Sequence, residues 1–377
     1  MIRGIETGYE VLSYDSCNLC PRLCGARRDS GNRGACGADG AMHIARAALH
    51  YWEEPPISGE AGSGTVFFSG CPLHCVYCQN AVIASGGVGP AVSVERLAAI
   101  CLELQAQGAL NVNFVTPTHY TLHIIDAVRL ARDGGLRIPV VWNTSGYERE
   151  QVVRALEGTV DVYLADYKYA DAELARRYSH APDYPDVAIT AIRAMAQQVG
   201  EPRFSIGADA AFDNSAGASA VLGCTEPRAV ELRVPNDSMQ DERMACGSEA
   251  VSGEDSIVPG DDGIPRLIRG VVVRHLLLPG ALEESKRALS VLWNEFGDAV
   301  LYSIMNQYTP VISGSELARF PELGETVPSG EYEELLDFAD SLGMEDYFWQ
   351  DGSADAQSFI PSWNGEGVEE SSSVASG

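Results

Sequence analysis

The stretch Thr65-Val-Phe-Phe-Ser-Gly-Cys-Pro-Leu-His-Cys-Val-Tyr-Cys-Gln-Asn80 joins a short apolar run to three closely spaced cysteines. The apolar run predicts a buried strand, and Cys71, Cys75 and Cys78 follow it with the spacing C-x3-C-x2-C. The chain has 10 cysteines in 377 residues. At a cysteine frequency of about 0.027, roughly 370 starting points give this spacing about 0.007 times by chance. The cluster is therefore a specific signal.

Three cysteines in one short loop indicate a metal centre with an open position. Gly70 and Pro72 favour a tight turn, so the three thiolates can point at one iron–sulfur cluster. A cluster of four irons then keeps one iron without a protein ligand. The alternative is a structural zinc ion, which normally needs four closed ligands. His74 is a candidate for the fourth, but its place inside the loop is awkward for binding the same ion.

Strands and helices alternate along the chain from this first strand onward. Such alternation is typical of a parallel sheet covered by helices, and right-handed crossovers curl it into an open barrel or a doubly wound sheet. The chemistry should then lie at the carboxyl ends of the strands. Six strands are predicted at residues 65–69, 111–116, 139–143, 160–166, 270–278 and 299–305. Helices are predicted after Ser93, at 119–132 and 147–156, between the fourth strand and residue 199, and at 282–296.

The acidity is concentrated in two stretches. The formal net charge is −27. Residues 201–262 contain 13 acidic and 4 basic residues, and residues 316–377 contain 15 acidic residues and 1 basic residue. These stretches account for −9 and −14, so the remaining residues carry only −4. Without a basic stripe, general nucleic-acid binding is excluded. The acidic stretches suit either solvated disorder or contact with a basic partner surface.

Composition divides the chain into three regions. Residues 1–60 form a cysteine-rich extension, residues 61–315 form the core, and residues 316–377 form an acidic extension. Residues 202–262 interrupt the core and are expected to be a disordered, mobile insert. In the acidic extension, a short helix is predicted at 330–342 and disorder from Gly352 onward. We expect a cytosolic protein, because a long apolar run and a signal peptide are both missing.

The extension at residues 1–60 contains a second set of four cysteines. Cys17, Cys20, Cys24 and Cys36 supply enough ligands to close a tetrahedral site. In a cytosolic chain such clusters indicate metal or redox chemistry rather than disulfides. Zinc is the default for a structural site, whereas an auxiliary iron–sulfur cluster would suit electron delivery. The sequence leaves both open.

The loop motif, with Tyr77 before its last cysteine, resembles the signature of radical S-adenosylmethionine (SAM) enzymes. The resemblance implies a partial (β/α)6 barrel, a [4Fe–4S] cluster on Cys71, Cys75 and Cys78, and SAM chelating the open iron. Reductive cleavage of SAM would yield a 5′-deoxyadenosyl radical that abstracts a substrate hydrogen. From residue 17 to 310, apart from the insert, the chain is similar to proteins resembling pyruvate formate-lyase activating enzyme. Residues 20–24, 46–55, 64–71, 115–119, 274–280 and 307–310 carry this similarity.

The resemblance also implies a set of SAM-binding residues at the strand ends. Asn143-Thr-Ser-Gly146 stands where activating enzymes have an Asp-Thr-Asn-Gly-like turn, and Asp166-Tyr-Lys168 matches their Asp-x-Lys. Lysine suits the SAM carboxylate as a point charge, and Asp166 would orient it or a bound cation. Because Asn143 replaces a carboxylate, the monovalent-cation site of those enzymes is not implied here. The candidate SAM-binding residues are Tyr77, Thr116, Asn143, Ser145, Asp166, Lys168 and Arg274.

Several further polar residues fall near the predicted mouth of the barrel. Thr116-Pro-Thr118 replaces the usual Gly-Gly-Glu, so its hydroxyls are candidates for the SAM ammonium group; a structural cis-proline turn is the alternative. Arg274 should face the cleft, because burying an unpaired guanidinium is costly. Two positions are open for the His275 side chain: packed in the core or facing the cleft. His119 and Gln307 are also expected at the mouth, Cys101 in the core, and Cys224 and Cys246 to be incidental.

These expectations leave the substrate open. The resemblance implies an electron donor such as flavodoxin or ferredoxin, and a glycyl-radical enzyme as one candidate substrate. Chemistry on a small molecule or another peptide is the alternative, because SAM-handling positions are shared by many substrates. A non-enzymatic electron carrier or redox sensor would explain both cysteine clusters but not the polar residues at the strand ends. Neither nucleic acid nor a membrane is an expected partner.

Overall fold

A computed structural model describes residues 5–7, 10–205, 230–232, 264–350 and 361–369. The strands are β1 (Ile5–Thr7), β2 (Glu10–Leu12), β3 (Met42–His50), β4 (Ser63–Phe68), β5 (Ala91–Val92), β6 (Val112–Val115), β7 (Val140–Thr144), β8 (Val162–Asp166), β9 (Arg203–Ser205), β10 (Val230–Leu232), β11 (Arg266–Leu276), β12 (Leu301–Met305) and β13 (Tyr347–Gln350). The α-helices are α1 (Pro55–Ser58), α2 (Ala81–Ala84), α3 (Val94–Ala106), α4 (Thr121–Asp133), α5 (Glu150–Ala155), α6 (Ala172–Ser179), α7 (Tyr184–Val199), α8 (Leu282–Phe296), α9 (Gly314–Arg319) and α10 (Ser329–Leu342).

The six predicted strands form the centre of one sheet. They correspond to β4, β6, β7, β8, β11 and β12, which are neighbours in this order and all parallel. Helices connect successive strands, as the alternating pattern predicts. The mixed α/β fold with a parallel sheet is therefore confirmed, and the carboxyl ends of these strands share one edge of the sheet.

The sheet is larger than the sequence predicts. β3 pairs antiparallel with β4 at one side, and β13 pairs parallel with β12 at the other. Parts of the expected insert are also strands: β9 pairs with β11, and β10 pairs with β13. The expectation of disorder is therefore wrong for residues 203–205 and 230–232. The rest of the insert, with Cys224 and Cys246, lies outside the described residues.

The helices follow their sequence signals closely. The Ser93 side chain accepts a hydrogen bond of 3.1 Å from the Arg96 amide and caps α3, an arrangement that stabilises a helix by about 1 kcal/mol. Cys101 on the inner face of α3 is fully buried, which confirms its place in the core. The longest described helix, α7, has 16 residues. None of the described helices is both long and apolar enough to cross a membrane.

Residues 361–369 pack against the edge of β3. The Gly365 amide donates to the Ala45 carbonyl, and the Ala47 amide donates to the Glu366 carbonyl. The Trp363 ring contacts Phe67 edge-on at 5.2 Å. The expectation of disorder from Gly352 onward is therefore wrong for these nine residues. Backbone hydrogen bonds to an open strand edge hold this segment in place, and they need no apolar pattern in the sequence.

Candidate active site

Close backbone contacts fix the cysteine loop after β4. Gly70 has φ +98°, and a Cβ at this position would lie 2.8 Å from the Cys36 carbonyl oxygen, so only glycine fits. The next amide, that of Cys71, donates to the same carbonyl at 3.0 Å. The tight turn expected at Gly70 is therefore present, and it brings the loop against the segment that contains Cys36.

The three loop thiols line one cavity of about 270 Å³ at the carboxyl ends of the strands. Cys71, Cys75 and Cys78 are free and half-buried. Burial, followed by the charge of the neighbouring thiols, raises the pKa of Cys71 to about 11 and that of Cys78 to about 12. Both groups are therefore protonated thiols near pH 7 until a metal displaces the protons.

Two kinds of metal centre compete for the loop cysteines, and the position of His74 distinguishes them. A structural zinc ion would need a fourth ligand beside the three thiolates. Thiolates that each bind a different iron of a cluster do not need to meet at one point. His74, the candidate fourth ligand for zinc, hydrogen-bonds through Nε2 to the Ala35 carbonyl at 2.9 Å instead.

Paired charges line the same cavity as the three cysteines. Lys168 Nζ lies 2.6 Å from Asp166 Oδ2, and Arg274 Nε lies 3.0 Å from Asp166 Oδ1. Burial opposes ionisation of Asp166, but the two cations outweigh it and hold the pKa of this carboxyl below its usual value. Arg274 Nη1 also lies 3.1 Å from Glu53 Oε2. Two cations and two carboxyl groups therefore alternate along the wall.

Glu53 is the main residue that the sequence analysis missed. It follows β3 and accepts hydrogen bonds from Asn113 (2.9 Å) and Asn143 (3.2 Å). Asn143 also accepts a hydrogen bond from Arg274. Burial raises the pKa of Glu53 although Arg274 opposes the shift. The available signal was a pair of carboxylates, Glu53 and Glu54, directly before two prolines.

The structure separates the other predicted residues into two groups. Thr118 donates its hydroxyl hydrogen to Glu148 at 2.7 Å, and the His119 and His275 side chains are buried against the Ser69 and Tyr167 carbonyls. None of the three lines the cavity. The expected place of His119 at the mouth is therefore wrong, His275 takes the alternative position in the core, and Thr118 is not placed to bind the SAM ammonium group. Described peptide bonds are all trans, which removes the cis-proline alternative. The predicted residues that line the cavity are Tyr77, Thr116, Asn143, Ser145, Asp166, Lys168, Arg274 and Gln307.

The amino-terminal segment that contains four cysteines contacts the cysteine loop through the Cys36 carbonyl. Cys17, Cys20 and Cys36 are buried and Cys24 is exposed. Burial raises the pKa of Cys20 to about 12. A Cβ on Gly34 would lie 3.4 Å from Cys24 Sγ and 3.6 Å from Cys36 Sγ, so these two sulfurs lie on either side of one position. A metal or cluster at these residues remains a prediction.

Comparison with known proteins defines the central domain. The sequence profile of the radical SAM superfamily matches residues 65–204. These residues form a radical SAM superfamily domain. The matched segment includes the cysteine loop, Asp166 and Lys168, but not Arg274. This domain implies a [4Fe–4S] cluster and SAM as cofactors, and the residues around the cavity fit both.

Individual relatives match part of the chain. An uncharacterised protein of Methanocaldococcus jannaschii is 30% identical over 183 residues, which cover 46% of this chain and 52% of that protein. The chain thus spans about half the length of this relative. Streptococcus suis SuiB bound to the precursor peptide SuiA is 11% identical with a TM-score of 0.42, over 75% of this chain and 46% of SuiB. SuiB bound to SAM is 10% identical with a TM-score of 0.41, over 75% and 48%.

Proposed function

We propose that this chain is a cytoplasmic radical SAM enzyme whose cluster is bound by Cys71, Cys75 and Cys78. When bound, the cluster and SAM supply a 5′-deoxyadenosyl radical that takes a hydrogen atom from the substrate. One observation carries the proposal: the three free thiols and the paired charges at the strand ends line the same cavity. A metal centre that only stabilised the fold would not need a polar wall facing it.

The charged wall suits the methionine part of SAM, which has one carboxylate and one ammonium group. Lys168 is the cation best placed for the carboxylate, because it lines the cavity and its charge opposes the rise in the pKa of Cys71 and Cys78. Asp166 holds Lys168 in position. Thr116 and Ser145, which line the same cavity, offer oxygen acceptors for the ammonium group.

The proposed substrate follows from the sequence resemblance. Similarity to proteins resembling pyruvate formate-lyase activating enzyme supports abstraction of a glycine hydrogen from a partner glycyl-radical enzyme. Flavodoxin or ferredoxin would then supply the electron. The second candidate is modification of a small molecule or peptide, because the resemblance lies mainly in positions that handle SAM rather than substrate.

Anaerobic reconstitution with iron and sulfide tests the cluster directly. We expect the wild type to bind four irons and four sulfides at the loop and to change its electron paramagnetic resonance (EPR) spectrum when SAM is added to the reduced protein. Cys75→Ala should lose this signal. Cys101→Ala, a matched change in the core, should keep it. If the loop binds a full cluster and its EPR spectrum does not change when SAM is added, the result would instead support a function as an electron carrier or redox sensor.

A further inference from the structure

A buried hydroxyl lies against one of the cluster cysteines. Ser179 is the last residue of α6, and its Oγ lies 3.0 Å from Cys75 Sγ. Ser179 has no exposed surface, so water does not compete for this hydrogen bond. When Cys75 is a thiolate it can only accept, and Ser179 must therefore donate.

Two buried tyrosines extend this contact into a chain of hydroxyls. Tyr169 Oη lies 2.7 Å from Ser179 Oγ, and the Tyr169 and Tyr77 hydroxyl oxygens lie 2.8 Å apart. Tyr169 donates its hydroxyl hydrogen to Tyr77, whereas either oxygen can be the donor in the contact between Tyr169 and Ser179. With the Ser179 hydrogen directed at the sulfur, Ser179 accepts from Tyr169 when the Tyr169 hydrogen turns from Tyr77 to Ser179. Hydrogen bonds in such a chain polarise one another, most strongly where the local dielectric constant is low.

The backbone holds both partners of the Ser179–Cys75 contact in place. The Val76 amide donates to the Tyr178 carbonyl at 2.9 Å. Arg22, between two of the amino-terminal cysteines, donates to the Ser179 carbonyl and to the Pro72 carbonyl, each at 2.9 Å. Arg22 thus connects the carboxyl end of α6 to the cysteine loop, and the hydroxyl and the sulfur are fixed relative to each other.

We propose that Ser179 raises the reduction potential of the cluster by donating a hydrogen bond to the Cys75 sulfur. This inference rests on the proposed function, since it needs Cys75 to bind a cluster iron. Reduction adds one negative charge that the cluster shares with its thiolates. A fixed hydrogen-bond donor stabilises the reduced form more than the oxidised form, and such bonds are among the factors that set cluster potentials. Ser179 and Tyr169 are therefore positioning residues that favour uptake of the electron.

A potential titration with fully reconstituted protein tests this role. Chemical reductant is added anaerobically, and the reduced cluster is measured by EPR for the wild type, Ser179→Ala and Tyr169→Phe. We expect Ser179→Ala to retain the iron content of the wild type and to hold about tenfold less reduced loop cluster at a fixed potential, a negative shift of about 59 mV for one electron. Tyr169→Phe should shift the potential in the same direction but less.

The control is Ser63→Ala, which removes a buried hydroxyl bonded to Asn111 at the amino end of β4; its potential should equal that of the wild type. An unchanged potential in fully loaded Ser179→Ala would overturn the proposal. If Ser179→Ala fails to load a cluster, an unchanged potential in Tyr169→Phe would overturn it. Failure of the wild type to bind any cluster would refute the proposed function itself.

Discussion

Arg274 Nη1 on β11 lies 3.1 Å from Glu53 Oε2, just beyond the end of β3. Four strands, β8, β7, β6 and β4, separate β11 from β3 in the sheet. At about 4.8 Å per strand, a flat sheet would hold β11 and β3 about 24 Å apart. Glu53 also accepts hydrogen bonds from Asn113 on β6 and Asn143 on β7. The segment after β3 therefore crosses the carboxyl ends of the intervening strands and brings Glu53 to Arg274.

Replacing Arg274 should destabilise the fold. Arg274→Met leaves Glu53 and Asp166 without their shared cation, and breaking a buried ion pair in this way costs about 3 kcal/mol. We expect this decrease in the free energy of unfolding of the apoprotein, measured anaerobically in urea by circular dichroism. Arg154→Met breaks an exposed pair with Glu150 and should cost no more than about 0.5 kcal/mol. Equal losses in the two variants would contradict this assignment.

Lys168 should determine SAM affinity without affecting the cluster. Lys168→Met removes the cation that we assign to the SAM carboxylate, so binding should weaken at least tenfold, or about 1.4 kcal/mol. Iron and sulfide content should not change. Lys286→Met is the matched control, because Lys286 is the only other lysine of the chain and pairs with Glu283 on its own helix, α8, and with Glu334 on α10. Equilibrium dialysis of SAM measures the affinity; similar affinities for both variants would exclude this role of Lys168.

The buried His275 imidazole should make stability depend on pH. Burial lowers its pKa from 6.5 to about 4, so the unfolded chain takes up a proton at a higher pH than the folded chain does. The stability that neutral His275 contributes is complete above about pH 6.5 and decreases by about 1.4 kcal/mol per pH unit as the pH falls towards 4. The difference in unfolding free energy between wild type and His275→Asn should therefore shrink over this range. A constant difference would show that folding does not lower the pKa of His275.

The amino-terminal cysteines should bind metal independently of the loop. A variant with Cys71, Cys75 and Cys78 all changed to Ala should still contain metal, because the second set of four thiols remains intact. Elemental and sulfide analysis identifies the centre: zinc alone indicates a structural site, and iron with sulfide indicates an auxiliary cluster. If the triple variant contains no metal, the prediction of a second metal centre at the amino-terminal cysteines is wrong.

The parallel core was predictable because local sequence determines it. Residues 65–69 and 160–166 are apolar runs that end in polar residues, and parallel strands with connecting helices place such ends on one edge. Cys71, Asp166 and Lys168 could therefore be assigned to one site before the structure was known. Arg274 could be assigned to the cleft because an unpaired guanidinium avoids the core.

Contacts between distant segments could not be predicted in this way. Glu53 reaches the site only because β3 pairs antiparallel with β4, outside the alternating pattern. Ser179 meets Cys75 only because α6 packs against the cysteine loop, 104 residues away in sequence. Thr118 and His119 follow a strand end, yet their side chains turn towards Glu148 and Ser69. Strand ends identify candidates, and tertiary packing decides which of them face the cavity.

The most direct test of the account measures the nucleoside that reductive SAM cleavage releases. Reconstituted protein is incubated without oxygen with dithionite and SAM, and the products are separated by chromatography. We predict 5′-deoxyadenosine and methionine in equal amounts from the wild type, and neither above background from Cys75→Ala. Protein with a complete cluster that releases no 5′-deoxyadenosine would contradict the central claim.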